Sequence, residues 1–128
     1  ADCFRLNAST MIRINRKVVL LGVSNTGKTS LLYRFANDEF LLTAYQSTDC
    51  DDCVPCRVVL EEKSVVVNIW DTVGLVRFTA MHRLSYHNAR AAIVCFSLVE
   101  SSSFTRAKGW IQDLLLNEKN CKIYLCGT

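Results

Sequence analysis

A lysine and a threonine that close a glycine-bounded octapeptide are the residues of this chain with the plainest chemistry. Gly22, Val23, Ser24, Asn25, Thr26, Gly27, Lys28 and Thr29 fit the pattern G-x-x-x-x-G-K-[ST] without a mismatch. The pattern is that of a phosphate-binding loop. Glycines at its ends let the backbone curl so that successive N–H groups face the phosphates, and the helix that follows, through Ser30, presents its positive end there. Lys28 adds a mobile charge that reaches β- and γ-phosphate oxygens, and the Thr29 hydroxyl is placed to ligate the Mg2+ that shields them. A second cluster reads Asp71-Thr72-Val73-Gly74. A carboxylate at Asp71 can hold the same ion directly or through water, and Gly74 leaves room for a backbone N–H to approach the γ-phosphate. D-x-x-G alone is a weak signal, but after a strand and downstream of the loop the two form one expected nucleotide site.

These residues need elements to position them. Val18-Val19-Leu20-Leu21 is an apolar run suited to a buried strand, and it leads through the loop into a helix expected over Lys28 to Asn37, with Leu31, Leu32 and Phe35 on one side. Arg57 to Leu60 and Ser64 to Trp70 are β-branched runs around Glu61-Glu62-Lys63 and predict an antiparallel hairpin. A short helix is expected near Met81 to Asn88. Ala91 to Leu98 is a continuous apolar run of strand length, as in a parallel sheet covered on both faces. Serines 101 to 103 can cap a helix with apolar positions at Phe104, Ala107, Ile111, Leu114 and Leu115, and Lys122 to Cys126 reads as a last strand. The order predicts an α/β fold: a doubly wound, mostly parallel sheet with one antiparallel hairpin strand, of the P-loop NTPase type. Its ligand site belongs at the carboxyl ends of the strands.

Composition narrows the setting. The chain has 128 residues, half of them apolar, one Pro and a formal charge of +3. That suffices for one core and argues against disorder over most of the length. The basic residues are scattered without an aromatic stripe, so no nucleic-acid partner is expected. Ala91 to Leu98 falls far short of the roughly 20 apolar residues that cross a bilayer, and residues 1 to 17 carry no continuous apolar stretch of a secretory signal. The expected location is cytoplasmic. Of the seven cysteines, Cys95, Cys121 and Cys126 sit in apolar runs and read as core. Cys50, Cys53 and Cys56 have C-x2-C-x2-C spacing, which opens an iron–sulfur pattern whose fourth cysteine is missing. Reduced thiols are the expectation there, and a metal site the alternative.

Ile69-Trp70-Asp71-Thr72-x-Gly74, the loop at Gly22 to Thr29 and Tyr45-Gln46-Ser47-Thr48 together resemble a Rab-type small GTPase of the Ras superfamily. The likeness runs from about Lys17 to Thr128 and includes Arg77-Phe78, Ala91 to Phe96, Ser101 to Phe104 and Ile123 to Thr128. The last two are most similar to the atypical, autophagy-associated Rab subgroup. The resemblance implies a GTP/GDP-binding switch in vesicle traffic that hydrolyses GTP. It implies Thr48 as the switch threonine that closes on Mg2+ and γ-phosphate, and Phe40 as the aromatic residue beside the guanine. Effectors and regulators would read Phe40 to Cys53 and Gly74 to His87.

Departures from the family pattern carry expectations too. Leu75 stands where the family has the glutamine that orients the attacking water, so hydrolysis is expected to be slow. Val76 replaces a common glutamate, and Asp49, Cys50 and Cys53 replace the family's residues after Thr48. In the family a Gly-Thr pair such as Gly127-Thr128 is followed by [NT]-K-x-D, which selects guanine, and later by prenylated cysteines. Residues 17–128 are therefore read as a C-terminally truncated GTPase domain, and 1–16 as a poorly ordered N-terminal extension. Membrane association would come only through a lipid anchor beyond Thr128. Two other readings stand beside this one: a nucleotide-binding interaction module without catalysis, and a P-loop ATPase or small kinase.

Overall fold

Hydrophobic periodicity alternates between two and 3.6 along the chain, and the elements follow it. The computed structural model describes residues 11–12, 17–37, 52–61, 63–72 and 80–128. In chain order these form β1 (Met11–Ile12), β2 (Lys17–Leu21), α1 (Lys28–Asn37), β3 (Asp52–Leu60), β4 (Lys63–Asp71), α2 (Ala80–Tyr86), β5 (Ala91–Phe96), α3 (Ser101–Asn117) and β6 (Lys122–Gly127). β4 pairs in parallel with β1 at Ser64 and Val65 and with β2 at 68–71, and antiparallel with β3 along its whole length. A strand has two edges, so β1 and β2 share one edge of β4 and the sheet runs β3, β4, β2, β5, β6. The pairs β2–β5 and β5–β6 are parallel. The expected mostly parallel sheet with one antiparallel hairpin is what forms.

Alternation along the strands splits the core in two. Leu20, Cys56 and Ile69 are buried with Leu32 of α1, and Val18, Val54, Val67 and Ile93 pack around them. Val19, Leu21, Ala92 and Val94 point the other way, against Tyr86 of α2 and Ala107, Trp110 and Leu114 of α3. Each fully covered aliphatic or aromatic side chain of this second cluster contributes about 1.5–3 kcal/mol. The chain thus leaves β2 toward β4 with α1 on one face, then crosses back to β5 with α2 on the other. The carboxyl end of β2 is the point where the winding reverses, and a crevice opens there in such sheets.

Several local expectations are corrected. β3 begins at Asp52, five residues before the expected start, and runs through Pro55. Proline is tolerated because, among the described residues, β3 pairs only with β4 and so forms an edge of the sheet. The residue before α3 is Glu100, which makes no side-chain cap, and the serines lie inside the first turn. Ser103 stitches that turn instead, accepting from the Ser97 N–H at 2.8 Å and donating to the Glu100 carbonyl at 2.6 Å. The buried stripe of α3 is Ser103, Ala107, Trp110 and Leu114, whereas Leu115 and Phe35 are exposed. Cys95 is buried, but Cys121 and Cys126 are only partly covered. Among the described residues no helix is long and apolar enough to cross a membrane.

Candidate functional site

The octapeptide between β2 and α1 adopts a backbone that few residue types accept. Gly22, Asn25 and Gly27 have φ of +143°, +66° and +80°. Only glycine enters such regions freely, with asparagine a tolerated substitute in the left-handed well. Alternating the sign of φ in this way turns successive N–H groups into a concave, anion-accepting surface. Thr26 pins the curl: its buried hydroxyl donates to the Val23 carbonyl at 2.7 Å. The first helical bond, Leu31 N–H to the Gly27 carbonyl at 2.8 Å, aims the start of α1 at the same concavity.

Lys28 folds back across the loop, its ammonium donating to the carbonyls of Gly22 at 2.8 Å and Val23 at 3.0 Å. The residue is only 6% exposed. Burial lowers its pKa from the ordinary 10.5, opposed by the attraction of Asp71 and, less strongly, of Cys95. Asp71 ends β4, itself 4% exposed, and the Thr29 hydroxyl donates to its Oδ2 at 2.6 Å. Thr72 fixes that strand end by donating to the Leu20 carbonyl of β2. An ammonium, a carboxylate and a hydroxyl drawn from residues 42 apart therefore converge at the carboxyl ends of β2 and β4.

The loop is braced from two distant places. A Cβ on Gly22 would lie 2.5 Å from the Cys95 carbonyl oxygen, so β5 closes on the loop as tightly as glycine allows. Thr128, after β6, donates its hydroxyl to the Thr26 carbonyl at 3.0 Å, across 102 residues. Its N–H bonds the Phe96 carbonyl at 2.9 Å, tying the ends of β5 and β6 together. A cavity of about 540 Å³ lined by Asn88, Arg90, Asn117 and Glu118 lies at the opposite ends of these strands and touches none of the converging groups.

Comparison with known proteins decides the family. A model of the Ras family matches residues 17–128. The chain belongs to the Ras family. It is 37% identical over 119 residues to the Ras-related protein Rab-24 of Dictyostelium discoideum, covering 93% of this chain and 58% of that protein. It is 36% identical over 104 residues to the GTP-binding protein ypt5 of Schizosaccharomyces pombe (81% and 49%), and 38% identical over 108 residues to the Ras-related protein Rab5A of Oryza sativa subsp. japonica (84% and 52%). The chain spans about half the length of these relatives. The Rab-type resemblance read from the motifs is thereby shown.

In this Ras-family chain the structure brings together Gly22 to Ser30 with Asp71. Phe40, Thr48, Gly74 and Leu75, together with Cys50, lie outside the described residues. Cys53 and Cys56 are three apart on β3, whose register with β4 is unbroken, so they face opposite sides and cannot hold one ion between them. Among the described residues no three His, Cys, Asp or Glu side chains are grouped as a metal cluster. The donor set that fits a hard divalent cation is instead the neighbouring oxygens of Thr29 and Asp71. Two contributors escaped sequence reading: the Cys95 carbonyl and Thr128. A backbone carbonyl carries no sequence signal, and nothing local to the octapeptide points to Thr128.

Proposed function

We propose that this chain binds GTP and GDP with Mg2+ and acts as a switch in intracellular vesicle traffic. The observation that carries the reading is the meeting of Thr29 with Asp71 at 2.6 Å beneath a left-handed, lysine-spanned loop. Thr29 and Asp71 would hold the ion, which supplies positive charge to the β- and γ-phosphates. The chain's own groups do the rest. The loop N–H groups from Val23 to Ser30 cradle phosphate oxygens, and Lys28 releases one carbonyl to meet the terminal oxygens with its ammonium. The positive end of α1 adds to the field. Thr48 and Gly74 are assigned the γ-phosphate contacts that order the switch segments, and Phe40 the contact beside the base. Effectors and regulators read Phe40 to Cys53 and Gly74 to His87, in the cytoplasm and, where a longer chain carries a lipid anchor, at a membrane. A role in autophagy is the narrower form of this reading.

Hydrolysis of GTP to GDP and phosphate is the assigned reaction, and Leu75 makes it slow. A leucine offers the attacking water neither donor nor acceptor, and loss of one such group costs on the order of 10²- to 10³-fold. Leu75 also favours the second reading, a nucleotide-binding interaction module that does not hydrolyse.

The first test is a titration with fluorescent GDP in Mg2+, competed by GTP, GDP and ADP, followed by single-turnover hydrolysis in wild type and Leu75→Gln. Displacement by GDP but not ADP is expected, with hydrolysis rising on the order of 10²-fold in the variant. Equal displacement by ADP would move the chain to the P-loop ATPase or kinase class. A Leu75→Gln variant no faster than wild type would establish the non-catalytic module.

A further inference from the structure

The five cysteines among the described residues are not equivalent. Cys53 pairs in register with Trp70 and Cys56 with Val67, and Cys121 precedes β6, but Cys95 of β5 and Cys126 of β6 are register partners on adjacent parallel strands. Registered partners point to the same face of a sheet, so these two thiols lie on one side of it. Neighbouring strands lie about 4.7–4.9 Å apart, inside the Cα separation of about 4.4–6.8 Å that a disulfide bridges. Their access differs: Cys95 is 0% exposed, whereas Cys126 is partly open to solvent.

The pair stands directly behind the phosphate loop. The Cys95 carbonyl is the atom against which Gly22 closes, and two residues after Cys126 the Thr128 hydroxyl holds the Thr26 carbonyl. Thr128 also bonds Phe96, the residue after Cys95. Any change in how β5 and β6 lie against each other at this end is therefore passed to both braces of the loop.

We propose that Cys95 and Cys126 are a redox-modification site, oxidised by peroxides to an intramolecular disulfide that loosens the phosphate loop. Cys126 meets the oxidant first. Its sulfur attacks one peroxide oxygen, the S–O bond forms as the O–O bond breaks, and hydrogen peroxide leaves one oxygen as a sulfenic acid and the other as water. Cys95 then attacks the Cys126 sulfur, the S–S bond forms as the S–O bond breaks, and hydroxide departs with the Cys95 proton as a second water. Two thiols lose two electrons and one peroxide gains them. Burial pushes the Cys95 thiol up to about 12, so it stays protonated, does not react with peroxide first, and must give up its proton as it attacks the sulfenic sulfur, which makes this second step the slow one. A disulfide holds its two sulfurs about 2.05 Å apart, and forming it draws on the strand ends that brace the loop.

The redox chemistry stands on the pairing of Cys95 with Cys126 across β5 and β6 and on their unequal exposure; its effect on ligand release rests on the nucleotide reading above. The test treats the full chain with hydrogen peroxide and maps disulfides by mass spectrometry of unreduced peptides. A linked Cys95–Cys126 peptide is expected, two hydrogens lighter than the reduced pair. In Cys126→Ser, Cys95 should stay reduced; in Cys95→Ser, Cys126 should stop at the sulfenic acid and be trapped by dimedone. If both cysteines of wild type stay reduced while Cys53 is oxidised, the site is refuted. Release of fluorescent GDP is then timed before and after oxidation. Release about fivefold faster, the lower range of coupling between linked sites, and reversed by dithiothreitol, supports the second half of the proposal. Unchanged release from a chain carrying the linked peptide overturns that half. A chain that forms the disulfide but binds no guanine nucleotide refutes the nucleotide reading and leaves the redox site standing.

Discussion

Replacing Gly22 by alanine probes the tightest contact of the loop, and Gly27 provides its internal control. Both glycines have positive φ, +143° and +80°, so an alanine at either is strained by about 1–2 kcal/mol. They differ in what the new methyl meets. At Gly22 it falls 2.5 Å from the Cys95 carbonyl oxygen and 3.0 Å from the Thr26 hydroxyl, while at Gly27 the nearest atom is a Thr128 methyl at 3.9 Å. The first is an overlap with backbone that cannot rotate away, and overpacking of that kind costs about 1–3 kcal/mol. The second is an ordinary contact. Gly22→Ala should therefore lose about 2–5 kcal/mol and Gly27→Ala about 1–2 kcal/mol. Total stabilities are commonly about 5–15 kcal/mol, so the difference is easily read. Urea unfolding of the nucleotide-free chain in EDTA is the assay, since bound ligand would add its own stabilisation. The midpoint should fall further in Gly22→Ala at an unchanged slope. If the two variants unfold at the same midpoint, β5 does not close on the loop as described.

Two further outcomes follow from the site. A double-mutant cycle of Thr29→Val and Asp71→Ala should give a coupling of about 1.5–3 kcal/mol, the range for a hydrogen bond to a charged group; a coupling near zero in urea unfolding would remove the 2.6 Å bond as a feature of the site. For Cys95 the sign is set by a folded pKa raised from 9.0 to about 12: the unfolded thiol ionises first, so stability falls as pH climbs from 9.0 toward 12. The slope approaches about 1.4 kcal/mol per pH unit. Cys95→Ala should flatten that window relative to wild type. Lys28 acts with the opposite sign, because its lowered pKa makes stability rise with pH up to 10.5, where the unfolded lysine loses its proton. A Cys95→Ala variant with the wild-type alkaline profile would refute the assignment.

What could be read in the sequence was whatever a local rule dictates. α1 begins and ends at the expected residues, Lys28 and Asn37, because the loop motif fixes its start and an apolar stripe fixes its face. The hairpin was legible from β-branched runs, yet the amino-terminal half of β3 was not, since Pro55 and three polar or thiol residues look unlike a strand until β4 offers a partner. The helical stripe legible in the sequence includes Leu115 and omits Trp110, although Trp110 is 2% exposed and Leu115 63%. The helix rolls toward the sheet by what β5 and β6 present, which periodicity alone does not reveal. The convergence of Lys28, Thr29 and Asp71 was visible in the motifs, because each motif ties its residue to the carboxyl end of a strand. The braces were invisible because a carbonyl has no sequence signature and Thr128 is remote.

The bond from Thr128 to Thr26 also has a consequence for how the protein is made. The octapeptide is contiguous and looks like a module that could shape itself early, but its brace is a residue translated more than a hundred positions later. Contacts of such sequence separation form late, after their loop-closure entropy has been overcome. On the ribosome, then, β2 and α1 emerge long before the loop between them acquires its final support. Capture of a phosphate ligand by a nascent chain would report that β6 has docked, making ligand binding a marker of finished folding rather than an early scaffold for it.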